Sequence, residues 1–90
     1  MNIQDLRAMV AALKATAKKG QQQLIDLILK IIDGKAKAAP NKTLARLLRI
    51  QENRPVIYEV LDLLSRFGAV CLEHELVGDF LHALKELLKK

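Results

Sequence analysis

The chain has 90 residues, enough for one hydrophobic core and too few for two. Apolar side chains make up 51% and charged ones 28%, which excludes an intrinsically disordered chain; aromatics at 3%, with four Gly and two Pro, leave too few ring side chains and turn formers for a β-sandwich or barrel. The single Cys cannot form an internal disulfide, which removes the small secreted scaffolds and points to a reducing, cytoplasmic setting, and the net charge of +5 points to an anionic partner.

The apolar periodicity is helical throughout and predicts an all-α, single-domain bundle of about five helices over 1–90. The first, over 3–19, lines one side with Ile3, Leu6, Val10, Leu13 and Ala17. Asn2 is its expected N-cap, Asp5 suits the positive helix start, and Gly20 reads as its stop. The second, over 21–33, is apolar nearly all round, with only Asp26, Lys30 and Asp33 forming a polar strip. Such a helix belongs at the centre of a bundle, and Gly34 ends it.

Residues 34–40, including the run KAKAAP, form the one linker-like loop. Asn41 caps a third helix over 41–51, with Leu44, Leu47, Leu48 and Ile50 assigned inward. Asn53 is the expected cap of a fourth over 54–67, where Pro55 falls in the first turn and removes no helical hydrogen bond. This helix offers Val56, Ile57, Val60, Leu61, Leu64 and Phe67 to the core. The apolar connection Ala69 to Leu72 is expected to plug one end of it. The fifth, over 73–89, contributes Leu76, Val77, Phe80, Leu81, Leu84 and Leu88. Gly78 inside it costs about 1 kcal/mol relative to Ala, so a neighbouring backbone comes close there or the helix bends. The most apolar run, Leu24 to Ile32, is interrupted by two charges and too short to span a bilayer, and the N-terminus has no continuous apolar stretch of the secretory kind.

Charge is unevenly distributed. Residues 1–54 hold 11 basic and 4 acidic side chains, a balance of +7; residues 55–90 hold 4 and 6, a balance of −2. Between Asp33 and Glu52, Lys35, Lys37, Lys42, Arg46 and Arg49 meet no acid. Lys42, Arg46 and Arg49 follow i, i+4, i+7 spacing opposite the leucines, and Arg7, Lys14 and Lys18 repeat the pattern on the first helix. Stacked like charges repel one another, so an arrangement of this kind suits an acidic or polyanionic partner beyond the ordinary solvation of a helix face.

Leu44-Ala45-Arg46-Leu47-Leu48-Arg49-Ile50, then Val56 to Leu64, then Gly68-Ala69-Val70 resembles the helix-turn-helix of winged-helix DNA-binding regulators. The resemblance spans Leu44–Val70 and implies that Ala45 sits at a close helix crossing and Ile50 anchors the turn. It further implies nucleic-acid contacts through Arg54, Tyr58 and the Lys42, Arg46 and Arg49 face. Arg49 stands where that family commonly has Gly, a helix follows Val70 where a wing would have a β-hairpin, and Glu59 and Asp62 offset Arg54 and Arg66 on the recognition helix.

Catalytic chemistry is not indicated. Asp79-x-x-His82, with Glu75 and Glu86, is spaced like half of a carboxylate–histidine metal site, but no other helix offers matching ligands. Cys71 and His74 lack an orienting group and an oxyanion site, and phosphate loops and nucleophile elbows are absent. The expectation is a non-catalytic interaction module without cofactor, metal, membrane or small-molecule substrate. Its basic half, through Arg7, Lys14, Lys18, Lys42, Arg46, Arg49, Arg54 and Tyr58, docks on an acidic protein surface or on a second copy of the chain. The alternatives are a helix-turn-helix nucleic-acid-binding regulator and an engineered bundle without an evolved target; Gly78, the irregular 69–72 connection and the lone Cys71 stand against the latter.

Overall fold

Asn2 starts the first helix with a reciprocal cap. Its Oδ1 accepts from the Asp5 N–H at 3.0 Å, and its own N–H donates to Asp5 Oδ2 at 3.1 Å. In the computed structural model, which describes residues 2–89, six helices follow: α1 (Ile3–Ala12), α2 (Lys19–Ile32), α3 (Lys42–Arg49), α4 (Arg54–Arg66), α5 (Gly68–Glu73) and α6 (Glu75–Leu88). Short 3₁₀ turns over Leu13–Ala15 and Gln51–Asn53 lead out of α1 and into α4. No strand occurs among the described residues. The radius of gyration, 11.8 Å, is close to the roughly 12 Å of a compact chain of this length.

The all-α class stands, with six helices in place of five. The first helix ends early: Thr16 leaves it, and Lys18, with extended backbone, becomes the N-cap residue of α2 and donates its N–H to Gln21 Oε1 at 2.9 Å. Gly20 is therefore not a stop but lies in the first turn of α2. The stop of the second helix is as expected. Gly34 takes φ +78°, its N–H donates to the Ile31 carbonyl, and Lys35 N–H donates to that of Lys30, which closes a Schellman turn. The 34–40 loop is pinned to the body by Ala38, which is buried.

Helix α2 is the central element. Its residues Leu24, Ile25, Ile28 and Ile31 are fully enclosed, and it touches α1, α3, α6 and both 3₁₀ turns. From α1 come Leu6 and Val10; from α3, Leu44 and Leu47; from α4, Val56, Ile57, Val60, Leu63 and Leu64; from α6, Val77, Phe80 and Leu84. Leu63 joins the buried set beyond expectation, and Leu61, assigned inward, is half-buried and packed against the core. The 69–72 connection is a helix in its own right, and Gly68 is its first residue rather than an end. Val70 and Cys71 are buried as expected, whereas Leu72 is 90% exposed.

Gly78 owes its place to close packing. A Cβ there would lie 2.9 Å from the Cys71 carbonyl oxygen, so α5 and α6 approach only because the side chain is missing. Asn53 also departs from expectation. It occupies the N-cap position of α4, yet its side chain makes no capping bond. Instead Nδ2 donates to the Leu47 carbonyl at 2.7 Å, and the residue, 1% exposed, is the one buried polar side chain among the described residues. Asn41 caps α3 as expected, accepting from Leu44 N–H at 2.9 Å.

Candidate basic groove

The cations of the first helix and of the third meet different fates. Helices α1 and α2 run antiparallel, so Arg7 and Lys14, seven residues apart, face Asp33 and Asp26, also seven apart and in reverse order. Arg7 grips Asp33 with both arms, Nε to Oδ1 at 2.7 Å and Nη2 to Oδ2 at 3.0 Å. Lys14 Nζ lies 2.7 Å from Asp26 Oδ1. The hydrogen bond from the Arg7 guanidinium holds the Asp33 carboxyl below its ordinary range, against the opposing effect of desolvation. Asp33 and Asp26 of α2 thus neutralise Arg7 of α1 and Lys14 of the 3₁₀ turn that follows it. Lys18 lies beyond the end of α1, exposed at the start of α2, so the expected three-residue row does not form on one helix.

Lys42, Arg46 and Arg49 are exposed along α3, and none of them is in an ion pair among the described residues. Arg46 and Arg49 sit in the last turn, where the negative end of the helix dipole favours them. The 3₁₀ turn, held by the Asn53 bond to Leu47, then leads into α4, whose first residue is Arg54. Tyr58, one helical turn further on, is 52% exposed.

Arg49, Arg54 and Tyr58 border a concavity of about 230 Å³ between α3, α4 and α6, floored by Leu48, Ile57, Leu87 and Leu88. Among the described residues no carboxylate lines it. A second hollow of similar size continues along α3 and α6, sharing Leu48, Arg49 and Leu87 and adding Ala45, Ala83 and Glu86. Glu86 is occupied by Lys89 Nζ at 3.5 Å, with His82 Nε2 at 4.0 Å. The two hollows adjoin at Leu48, Arg49 and Leu87 and are together termed the trough; its lining is mainly aliphatic, with guanidinium groups on its α3–α4 side and Glu86 on its α6 side. A hollow of about 300 Å³ between the first 3₁₀ turn and α4 carries Glu59 and, among the described residues, no cation.

Comparison with protein-family models, with curated proteins and with solved structures yields no match.

The trough contains three of the residues singled out by sequence, Arg49, Arg54 and Tyr58. Lys42 and Arg46 lie on the outer face of α3 and do not line it. Ala45 is exposed on the trough wall opposite Ala83, not buried at a helix crossing, and Ile50 is 39% exposed rather than anchoring the turn. Leu87, Leu88 and Ala83 were missed as site residues because their contribution depends on α6 folding back beside α3. On α6 itself, Glu75, Asp79, His82 and Glu86 are exposed, and no cluster of three or more His, Cys, Asp or Glu forms among the described residues. The Cys71 thiol is buried and donates to the Leu64 carbonyl at 3.6 Å; desolvation raises its pKa. Among the described residues no helix is long and apolar enough to cross a membrane.

Proposed function

We propose that the protein is a non-catalytic interaction module whose α3–α4 surface docks on an acidic surface of a partner protein. The observation that carries this reading is the contrast between the two cationic rows. Arg7 and Lys14 are paired with the acids of α2, whereas Lys42, Arg46, Arg49 and Arg54 are left without a carboxylate partner among the described residues. Four unpaired cations on neighbouring turns create a local positive potential that accelerates encounter with an acidic surface and favours its orientation. Tyr58 adds a rigid amphipathic contact of the kind enriched in protein interfaces. Duplex recognition through α4 is less well supported, since Glu59 and Asp62 are exposed on that helix and Arg66 is held by Asp62 at 3.0 Å.

The test is capture from nuclease-treated cell lysate by the wild-type chain and by the triple variant Lys42→Glu, Arg46→Glu, Arg49→Glu. All three side chains are exposed, so the variant is expected to stay folded despite carboxylates at the C-terminal end of the α3 dipole, and circular dichroism checks this. A set of acidic proteins retained by the wild type and released by the variant is expected. Equal retention by both overturns the reading. Capture that disappears with nuclease, or a steep log–log fall of DNA affinity with salt, replaces it with nucleic-acid binding.

A further inference from the structure

Lys42 and Arg46 can attract any acidic surface, but the trough beside them has features that plain charge attraction does not require. Its floor is aliphatic over two successive hollows, its α3–α4 rim carries Arg49 and Arg54, and Tyr58 stands at the edge with its ring half in solvent. The hollows adjoin, sharing Leu48, Arg49 and Leu87, so apolar groups projecting from one face of a bound helix can enter both. Ala45 and Ala83 keep the second hollow open, because any longer side chain on either wall would reach into it.

Resting on the docking role proposed above, we infer that the ligand of this surface is an acidic amphipathic helix. Two aliphatic or aromatic side chains on successive turns occupy the trough, and flanking carboxylates pair with Arg49 and Arg54. Charge complementarity selects this occupant over others. Among the described residues the first hollow has two guanidinium groups and no acid, and Glu86 of the second is engaged by Lys89, so a basic helix is disfavoured, and a purely apolar one leaves both cations without a partner at the rim. Arg is suited to this geometry because its planar fork can hold a carboxylate with two parallel bonds. Burying the anchors removes apolar surface from water on both sides, including the exposed parts of Leu48, Leu87 and Leu88. The charges set orientation, and the anchors determine how long the complex lasts.

The test uses fluorescence anisotropy with three synthetic helical peptides of about 16 residues, a length at which a helix can persist when docked. One carries leucines at i and i+4 flanked by glutamates; the second replaces the leucines by serine; the third replaces the glutamates by lysine. The first is expected to bind at least about tenfold more tightly than either of the others. Ala45→Leu, at an exposed helical position that tolerates the larger residue, fills the second hollow without altering charge. It is expected to weaken the first peptide at least about tenfold while leaving the serine peptide unchanged, and Leu87→Trp to do the same through both hollows. Equal affinity for the leucine and serine peptides, with both lost on Arg49→Glu, overturns the anchored helix and leaves acidic docking intact. No binding of either acidic peptide overturns both readings, and unchanged binding to the Ala45→Leu and Leu87→Trp variants removes the trough as the site.

Discussion

Arg7 and Asp33 are joined by two parallel hydrogen bonds, 2.7 and 3.0 Å long, across the α1–α2 hairpin. The pairing lowers the Asp33 pKa, chiefly through the hydrogen bond from Arg7. A carboxylate depressed in the folded state contributes stability that is present above its unfolded pKa, about 4, and is lost as pH falls through the lower folded value. Stability is therefore expected to decline in acid more in the wild type than in Asp33→Asn. An NMR titration should place the Asp33 carboxyl below the ordinary aspartate range, and Arg7→Gln should move it back up. An Asp33 titration that does not respond to Arg7→Gln would show the pair to be absent in solution.

Gly78 and Gly20 should respond oppositely to alanine. At Gly78 a methyl group meets the Cys71 carbonyl oxygen at 2.9 Å, backbone that cannot move without displacing α5. The strain is expected to exceed the gain in helix propensity and leave Gly78→Ala destabilised by about 1–3 kcal/mol. At Gly20 the space is open, so Gly20→Ala should stabilise by about 0.5–1 kcal/mol. Urea unfolding of the two variants measures both signs.

Asn53→Ala removes the bond to the Leu47 carbonyl inside the protein and is expected to cost about 1–3 kcal/mol. Asn53→Asp should cost more, because it turns a carboxylate toward a carbonyl oxygen. Since this bond holds the turn between Arg49 and Arg54, both variants should also weaken docking even where folding is rescued by osmolyte. Chemical denaturation combined with peptide binding separates the two effects.

The Cys71 thiol is shut away and bonded to the Leu64 carbonyl, and its pKa is raised by burial. Labelling with a thiol reagent at mildly alkaline pH should be at least about 100-fold slower in the native protein than in urea. Reaction at comparable rates would mean that α5 detaches readily.

What could be read in advance follows the range of the interactions involved. Asn2, Gly34 and Asn41 act within a few residues of themselves, and their roles were legible. So was the central position of α2, because its apolar circumference admits few other placements. The break after Ala12 was not, since Lys14 to Lys18 contains good helix formers and no glycine; it arises as the chain turns to pack α2 against α1. Gly20, with helical backbone in the first turn of α2, shows that a glycine near an expected boundary need not end a helix. The pairing of Arg7 with Asp33 and of Lys14 with Asp26 did leave a trace, two opposite-charge sets of equal seven-residue spacing. Recognising it required knowing that the two helices are antiparallel neighbours. The floor of the trough was beyond reach for a similar reason, because Leu87 and Ala83 become part of a site only when α6 returns beside α3.

The enclosure of α2 by helices and turns on its several sides bears on how the molecule breathes. Fraying of either chain end does not uncover its amides, so deuterium should enter there last, through opening of the whole molecule, whereas the last turn of α6 should exchange early. The α2 amides would then serve as an internal gauge of global stability, against which any protection gained at α3 and α6 on ligand addition can be read as local.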